Sequence, residues 1–420
     1  MTIHASYKRT KLGCYLGIFL QAIICTIMPL LFIPLMDIYG FSYTQLGILV
    51  GVNFSAQVAV DIIFSGVIDK CGYRKLALPA IVCGLAGLLL FAGSPILFPG
   101  HVYAGIVLAT IVFAASSGLL EVLVSPIVDA IPSDDKGASM SLMHSAFAWG
   151  EVITIIVTTL FVFFLGGENW QIIVLLWCVV PISCFFVFWF APFPPTIAAE
   201  HRDKPGKLLF APFFLIALAA IFFGAASELV MSQWSSAYME RALTLPKVAG
   251  DLLGMCGFAV MMGIGRTFYG VRGAKLNMGR ALLLCSAIAA VCYLTVAISP
   301  WNGLNVLACA VCGLGASLLW PGTLVVCSTR FPMAGAWMFA ILAAAGDIGG
   351  AFGPWLTGIL VDNTQGTALA DWIMRVFAAT PEQAGMRIGL FFSALFPIGA
   401  FLCHAVLRKL LRKHREEETA

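Results

Sequence analysis

The stretch "KLLFAPFFLIALAAIFFGAASELVMSQW", residues 207–234, is apolar over more than a bilayer's thickness and holds one acid, Glu228. Between residues 208 and 239 no other side chain is charged. About 20 apolar residues suffice for a helix to cross the hydrocarbon core. An ionised carboxylate at that depth costs several kcal/mol, so an intramembrane acid needs a reason to be there. The same texture runs through the whole chain: 60% of its 420 residues are hydrophobic and 11% are charged. A soluble domain carries about 25% charged residues. The chain therefore reads as a polytopic membrane protein.

Long apolar runs separated by polar breaks predict twelve spans, at 12–36, 43–67, 76–93, 102–130, 138–165, 170–191, 208–238, 247–270, 280–298, 303–329, 334–361 and 386–407. The alternating segments of about ten residues that mark a membrane β-barrel are missing from the sequence. The expected fold is all-α, with twelve transmembrane helices in two six-helix bundles, residues 1–191 and 208–420. A cytoplasmic linker, "PFPPTIAAEHRDKPGK" (192–207), joins them. The basic start of the chain resembles a signal peptide, but the apolar run behind it exceeds the ~7–15 residues of a cleaved segment, so it is read as an uncleaved first span. The 13 cysteines lie almost all within spans. Only Cys309 and Cys312 make a C-x-x-C, with no second pair beside it, so no metal, disulfide framework or cofactor is expected.

Positive charge marks the cytoplasmic side of a membrane protein. With both termini placed there, 19 of the 24 Lys and Arg fall on that side, from Lys8, Arg9 and Lys11 to Arg408, Lys409, Arg412, Lys413 and Arg415. Arg241, Lys247, Arg375 and Arg387 fall outside, and Arg266 lies within span 8. An internal echo supports two halves. "IPSDDKGASM" (131–140) follows span 4 and "FPMAGAWM" (331–338) follows span 10, each a Pro-led turn running into Gly-Ala-x-Met. Half-chain repeats of this kind typify transporters, whose sites lie where the repeats meet.

"GVIDKCGYRK", Gly66 to Lys75, sits between spans 2 and 3. Gly66 and Gly72 permit close helix approach and a tight turn, and Asp69 is placed to pair with Arg74 or a neighbouring helix end. The plainer reading is a short basic loop, but topology alone requires neither the acid nor the glycines. A looser counterpart, "GRTFYGVRGAK" (265–275), follows span 8 without an acid. The first stretch resembles the loop signature of the major facilitator superfamily, Gly-x-x-x-Asp-(Arg/Lys)-x-Gly-x-(Arg/Lys)-(Arg/Lys). "SELVMSQWSSAYM" and "GFAVMMGIGRTFYG" are similar to spans 7 and 8 of the fucose permease branch of sugar–proton symporters. "LLWPGTL" and "AAAGDIGGAFGPWLTG" are similar to its spans 10 and 11.

The resemblance covers essentially the whole chain. It implies a bacterial plasma-membrane transporter in which Gly66, Asp69, Gly72, Arg74, Lys75 and Arg266 gate the protein rather than touch solute. In that branch an acid in span 1 and one in span 4 handle substrate and proton. Glu121, in "SSGLLEVLVSP", fits the span 4 position. Span 1 departs from the pattern, with Gln21 in its core and an acid, Asp37, only at its outer end.

Polar side chains within the spans are the remaining candidates. Asn53, Gln57 and Asp61 are spaced by four and share one face of span 2; such a stripe must face protein or water. Span 5 offers His144, Trp149 and Glu151, span 7 offers Glu228, Gln233 and Trp234, span 10 offers Trp320 and span 11 offers Asp347. Each also has a plainer reading, as an interhelical hydrogen bond or an acid kept neutral by burial. The acids favour function more than the amides do, because burying them costs more. Asp61, near the cytoplasmic end of span 2, is assigned to the Asp69 network. Asp347, in a Gly-rich stretch, fits packing as well as function.

A mid-membrane solute cavity is expected between Gln21, Asn53, Gln57, Glu121, Trp149 and Glu151 of the first half and Glu228, Gln233, Trp234 and Trp320 of the second. Indole rings cover a sugar's C–H face while amides and carboxylates take its hydroxyls. Glu121 and Glu151 are the expected proton carriers, with His144 and Asp347 as further candidates. Glu228, towards the outer part of span 7, suits ligand contact or an outer gate. The sequence shows no Walker-type loop and no catalytic constellation, so an enzyme is not expected. The expectation is a monomeric secondary transporter for a small polar solute, driven by a coupling proton and without nucleic-acid partners. A proton antiporter exporting drugs or metabolites is the alternative. A non-transporting sensor is disfavoured by the short tail "RKLLRKHREEETA".

Overall fold

The computed structural model describes residues 7–41, 43–64, 67–196, 208–272, 276–364, 366–377 and 379–419. Every regular element among them is helical. Eleven helices are long and apolar enough to cross a bilayer, and Ile48–Phe64 forms a shorter apolar helix. Together they answer to the twelve expected spans. The chain falls into two compact units, residues 1–205 with 331–344, and residues 206–330 with 345–420. Of the expected linker, 197–207 lies outside the described residues.

The first unit opens with α1 (Lys8–Leu30) and α2 (Phe32–Tyr39). Pro29 sits in the last turn of α1, where its ring disfavours continuation. The helix breaks at Leu31, whose N–H reaches the carbonyls of Ile27 and Met28. It then resumes as α2 until Gly40, whose left-handed φ of 68° ends it. α3 (Tyr43–Phe64), the turn α4 (Ile68–Cys71), α5 (Tyr73–Leu97) and α6 (Val102–Ala130) follow. α7 (Lys136–Leu165) starts where the Asp135 side chain accepts from the N–H of Ala138 at 2.9 Å. α8 (Trp170–Trp177) and α9 (Val179–Trp189) complete span 6. α6 packs against α5, α3 and α1, and its residues 116–128 are all buried, so it forms the centre of this unit. A side chain at Gly87 of α5 would run into the backbone of Phe113 on α6. Without a water-driven hydrophobic effect in lipid, close backbone approach of this kind is what holds helices together.

The second unit begins with α10 (Pro212–Ala237), with Pro212 at the first helical position, where its missing N–H costs nothing. It continues through a π-helical stretch, Tyr238–Ala242. Span 8 is α11 (Lys247–Gly250), a second π-helical stretch (Asp251–Cys256) and α12 (Gly257–Arg272). α13 (Met278–Ile298) is capped by Asn277. α14 (Asn302–Ala316) and α15 (Leu319–Arg330) form one span interrupted at Ser317 and Leu318. α16 (Ala336–Asn363) begins among the residues of the first unit and ends among those of the second. α17 (Ala368–Phe377), α18 (Pro381–Ser393) and α19 (Leu395–Thr419) close the chain.

Most helix ends lie within a few residues of the expected ones, but α17 falls where only a polar break was read. Its ten residues are too few to show as a span. Ala370 and Ile373 nevertheless bury against Ala384 and Ile388 of α18, while Leu369, Trp372 and Val376 stay exposed.

Candidate functional site

α6 carries Ser117, Glu121 and Ser125 four residues apart, so the three line one face of the most buried helix in the first unit. Each meets a different neighbour. Gln21 of α1 donates its amide N–H to Glu121 Oε2 at 2.6 Å, with both residues no more than 8% exposed. Ser117 donates its hydroxyl to Gln57 Oε1 of α3 at 2.8 Å, and Gln57 donates in turn to Asn53 Oδ1 at 3.3 Å. Ser125 Oγ lies 3.4 Å from His144 Nε2 of α7. The expected candidates Gln21, Asn53, Gln57, Glu121 and His144 therefore all touch α6 or the residues bonded to it. Ser117 and Ser125 were missed by the sequence reading. The signal was their four-residue spacing around Glu121. Asp61 is buried further along α3, Glu151 is half-buried on α7, and Trp149 remains 36% exposed.

The second unit answers its buried acid differently. Arg266 of α12 places Nη2 3.0 Å from both carboxylate oxygens of Glu228 on α10. Arg266 is 2% exposed and Glu228 7%. The guanidinium Nε also donates to the carbonyl of Ser317 at 3.0 Å. That carbonyl lies where α14 breaks and α15 has not begun, so the cation satisfies a backbone acceptor released by the interruption. Glu228, expected to meet ligand, and Arg266, expected in a gate, are thus joined in one buried ion pair.

Trp320 of α15 is half-buried against Gly346 of α16, where any side chain would collide with the indole ring. Asp347, the next residue, is buried. Gln233 and Trp234 are half-buried near the end of α10, with Trp234 beside Gly358. One buried cluster had no counterpart in the sequence reading. His404 of α19 lies between Ser286 of α13, 3.2 Å from Nδ1, and Thr323 of α15, 3.1 Å from Nε2.

Of the loop expected to act as a gate, Gly66 and the Asp69 side chain lie outside the described residues, as does Lys275. Gly72 adopts φ 83°, which a side chain would disfavour, and ends α4. Arg74 donates to the carbonyl of Ala191 at 2.6 Å and lies over the Phe193 ring, tying the start of α5 to the end of span 6. Lys75 is exposed.

Comparison with known proteins agrees with this architecture. The family model described as Major Facilitator Superfamily matches residues 14–354. No curated protein sequence matches the chain. Among solved structures, a variant of the E. coli fucose:proton symporter FucP is similar with a TM-score of 0.72 at 13% identity, covering 96% of this chain and 99% of that one. The proton:xylose symporter XylE gives a TM-score of 0.78 at 14% identity, covering 96% and 95%. A human organic anion transporter, TETRAN, gives a TM-score of 0.69 at 14% identity, covering 94% of this chain and 99% of that one.

Proposed function

The chain belongs to the Major Facilitator Superfamily, a family of secondary transporters and not of enzymes, and from that premise we propose that it carries a small polar solute, a sugar or related compound, in symport with protons. Transport proceeds by alternating access, with both termini in the cytoplasm and residues 192–207 linking the 1–191 and 208–420 bundles.

The observation that carries the coupling is the buried Gln21–Glu121 hydrogen bond at 2.6 Å. A glutamine amide has both donors and an acceptor. Its N–H serves a carboxylate, and after a turn of the amide its carbonyl serves a protonated carboxyl. Gln21 thereby accommodates Glu121 in either protonation state, which is what a proton-carrying acid in a membrane requires. Glu151 is the second carrier, with His144 and Asp347 as auxiliary candidates. Each unit offers the mixture of ring faces and hydrogen-bonding groups that suits a polyol, Trp149 with Asn53 and Gln57 in the first and Trp234 and Trp320 with Gln233 in the second.

Uptake into proteoliposomes with and without an inward proton gradient tests this. A gradient should stimulate uptake, and Glu121→Gln should abolish that stimulation while leaving solute exchange at equal pH intact. The reading fails if uptake ignores the gradient, or if Glu121→Gln and Glu151→Gln both couple normally. Stimulation by an outward-directed solute load with proton entry would instead identify an exporting antiporter.

A further inference from the structure

A cavity of ≈ 580 Å³ opens within the second unit where α13 begins, α15 ends and α19 passes at residues 405–412. Its mouth carries Arg280, Arg408, Lys409 and Arg412, and no acid lines it. Arg280, Arg408 and Lys409 make no ion pair among the described residues. The amino end of α13 and the carboxyl end of α15 both lie here, so their dipoles offset and the net positive charge comes from the side chains. Deeper in, the walls turn apolar, with Met278, Leu283, Val326 and Leu411. Gly279 completes the shape. A Cβ there would stand 3.3 Å from Cγ of Arg408, so the bare backbone leaves room for the arginine stem to lie flat and its head to reach the mouth.

We propose that this pocket binds an anionic phospholipid, with the phosphate at the basic mouth and part of an acyl chain against the apolar wall. Arg280, Arg408 and Lys409 converging on one opening are complementary to a phosphate, and basic pockets between membrane helices on the cytoplasmic side suit acidic headgroups. A free phosphate would use the mouth but leave the apolar depth unfilled; a zwitterionic lipid would fill the depth but gain less from the charge. The site lies on the face that the basic residues mark as cytoplasmic, and it is independent of the identity of the transported solute.

Native mass spectrometry of the full-length protein from nanodiscs containing equal phosphatidylglycerol and phosphatidylcholine tests the assignment. Phosphatidylglycerol should be retained in preference, and the exposed double substitution Arg280→Gln/Arg408→Gln should weaken its retention by about 30-fold. Leu283→Trp, which fills the depth and keeps the charge, should also reduce it. Unchanged melting of both variants in phosphatidylcholine alone shows that they are folded. Equal retention of the two lipids in the native protein overturns the proposal, as does an undiminished preference in the double variant. Displacement of the lipid by millimolar inorganic phosphate also overturns it, by assigning the pocket to a free anion.

Discussion

The two units each bury a glutamate inside a membrane helix, and they satisfy it with partners of opposite kinds. Glu121 meets the neutral amide of Gln21, whereas Glu228 meets the guanidinium of Arg266. An amide can donate or accept; a guanidinium only donates and keeps its charge. A proton arriving at Glu121 changes one group whose partner adapts. A proton arriving at Glu228 would leave a buried cation without its counter-ion, 3.0 Å away. The same residue type in similar burial is therefore suited to carry a proton in one unit and to fix structure in the other.

The sharpest way to break this contrast is to remove one member of the ion pair. Arg266→Met leaves Glu228 uncompensated and should cost about 3–5 kcal/mol, read as a large drop in melting temperature or loss of monodisperse protein. Glu228→Leu combined with Arg266→Met removes both charges and should recover most of that loss, since an apolar replacement of a buried pair is often neutral. If the single and double variants melt alike, the pair is not a structural unit.

Glu121→Gln should be milder. The new amide still offers an oxygen to Gln21, so the loss should be about 0.5–1.5 kcal/mol, the scale of one hydrogen bond. A drop as large as that of Arg266→Met would erase the distinction between the units. Smallest is Ser117→Ala, which removes one interhelical hydrogen bond to Gln57 and should cost about 0.6 kcal/mol by thermal melting. A much larger effect would show that α6 depends on its polar stripe for folding.

The contrast also shows where sequence reading stops. Apolar run length located the spans because bilayer thickness imposes it. Glu121 and Gln21 were legible as candidates because intramembrane polar groups are conspicuous. Their pairing, and that of Glu228 with Arg266 across 38 positions, was not. It depends on how each helix is rotated about its axis, and an almost uniformly apolar helix carries little periodic signal to fix that rotation. Arg266 was drawn instead into the loop motif at 265–275, of which it is the second residue. His404 escaped notice because its two partners, Ser286 and Thr323, come from different helices. α17 escaped because its short apolar face is completed only by α18.

The ion pair has a consequence for synthesis of the chain. An arginine within a membrane helix lowers the tendency of that segment to leave the translocon for lipid, by about 2.5–3.5 kcal/mol at the helix centre. Glu228 emerges from the ribosome before Arg266, on the helix immediately upstream. Spans 7 and 8 are thereby fitted to partition as a hairpin, the earlier helix holding a counter-charge for the later one. In cells, Glu228→Leu alone should accordingly leave a fraction of chains with span 8 uninserted, detectable by glycosylation mapping of the segments that flank it.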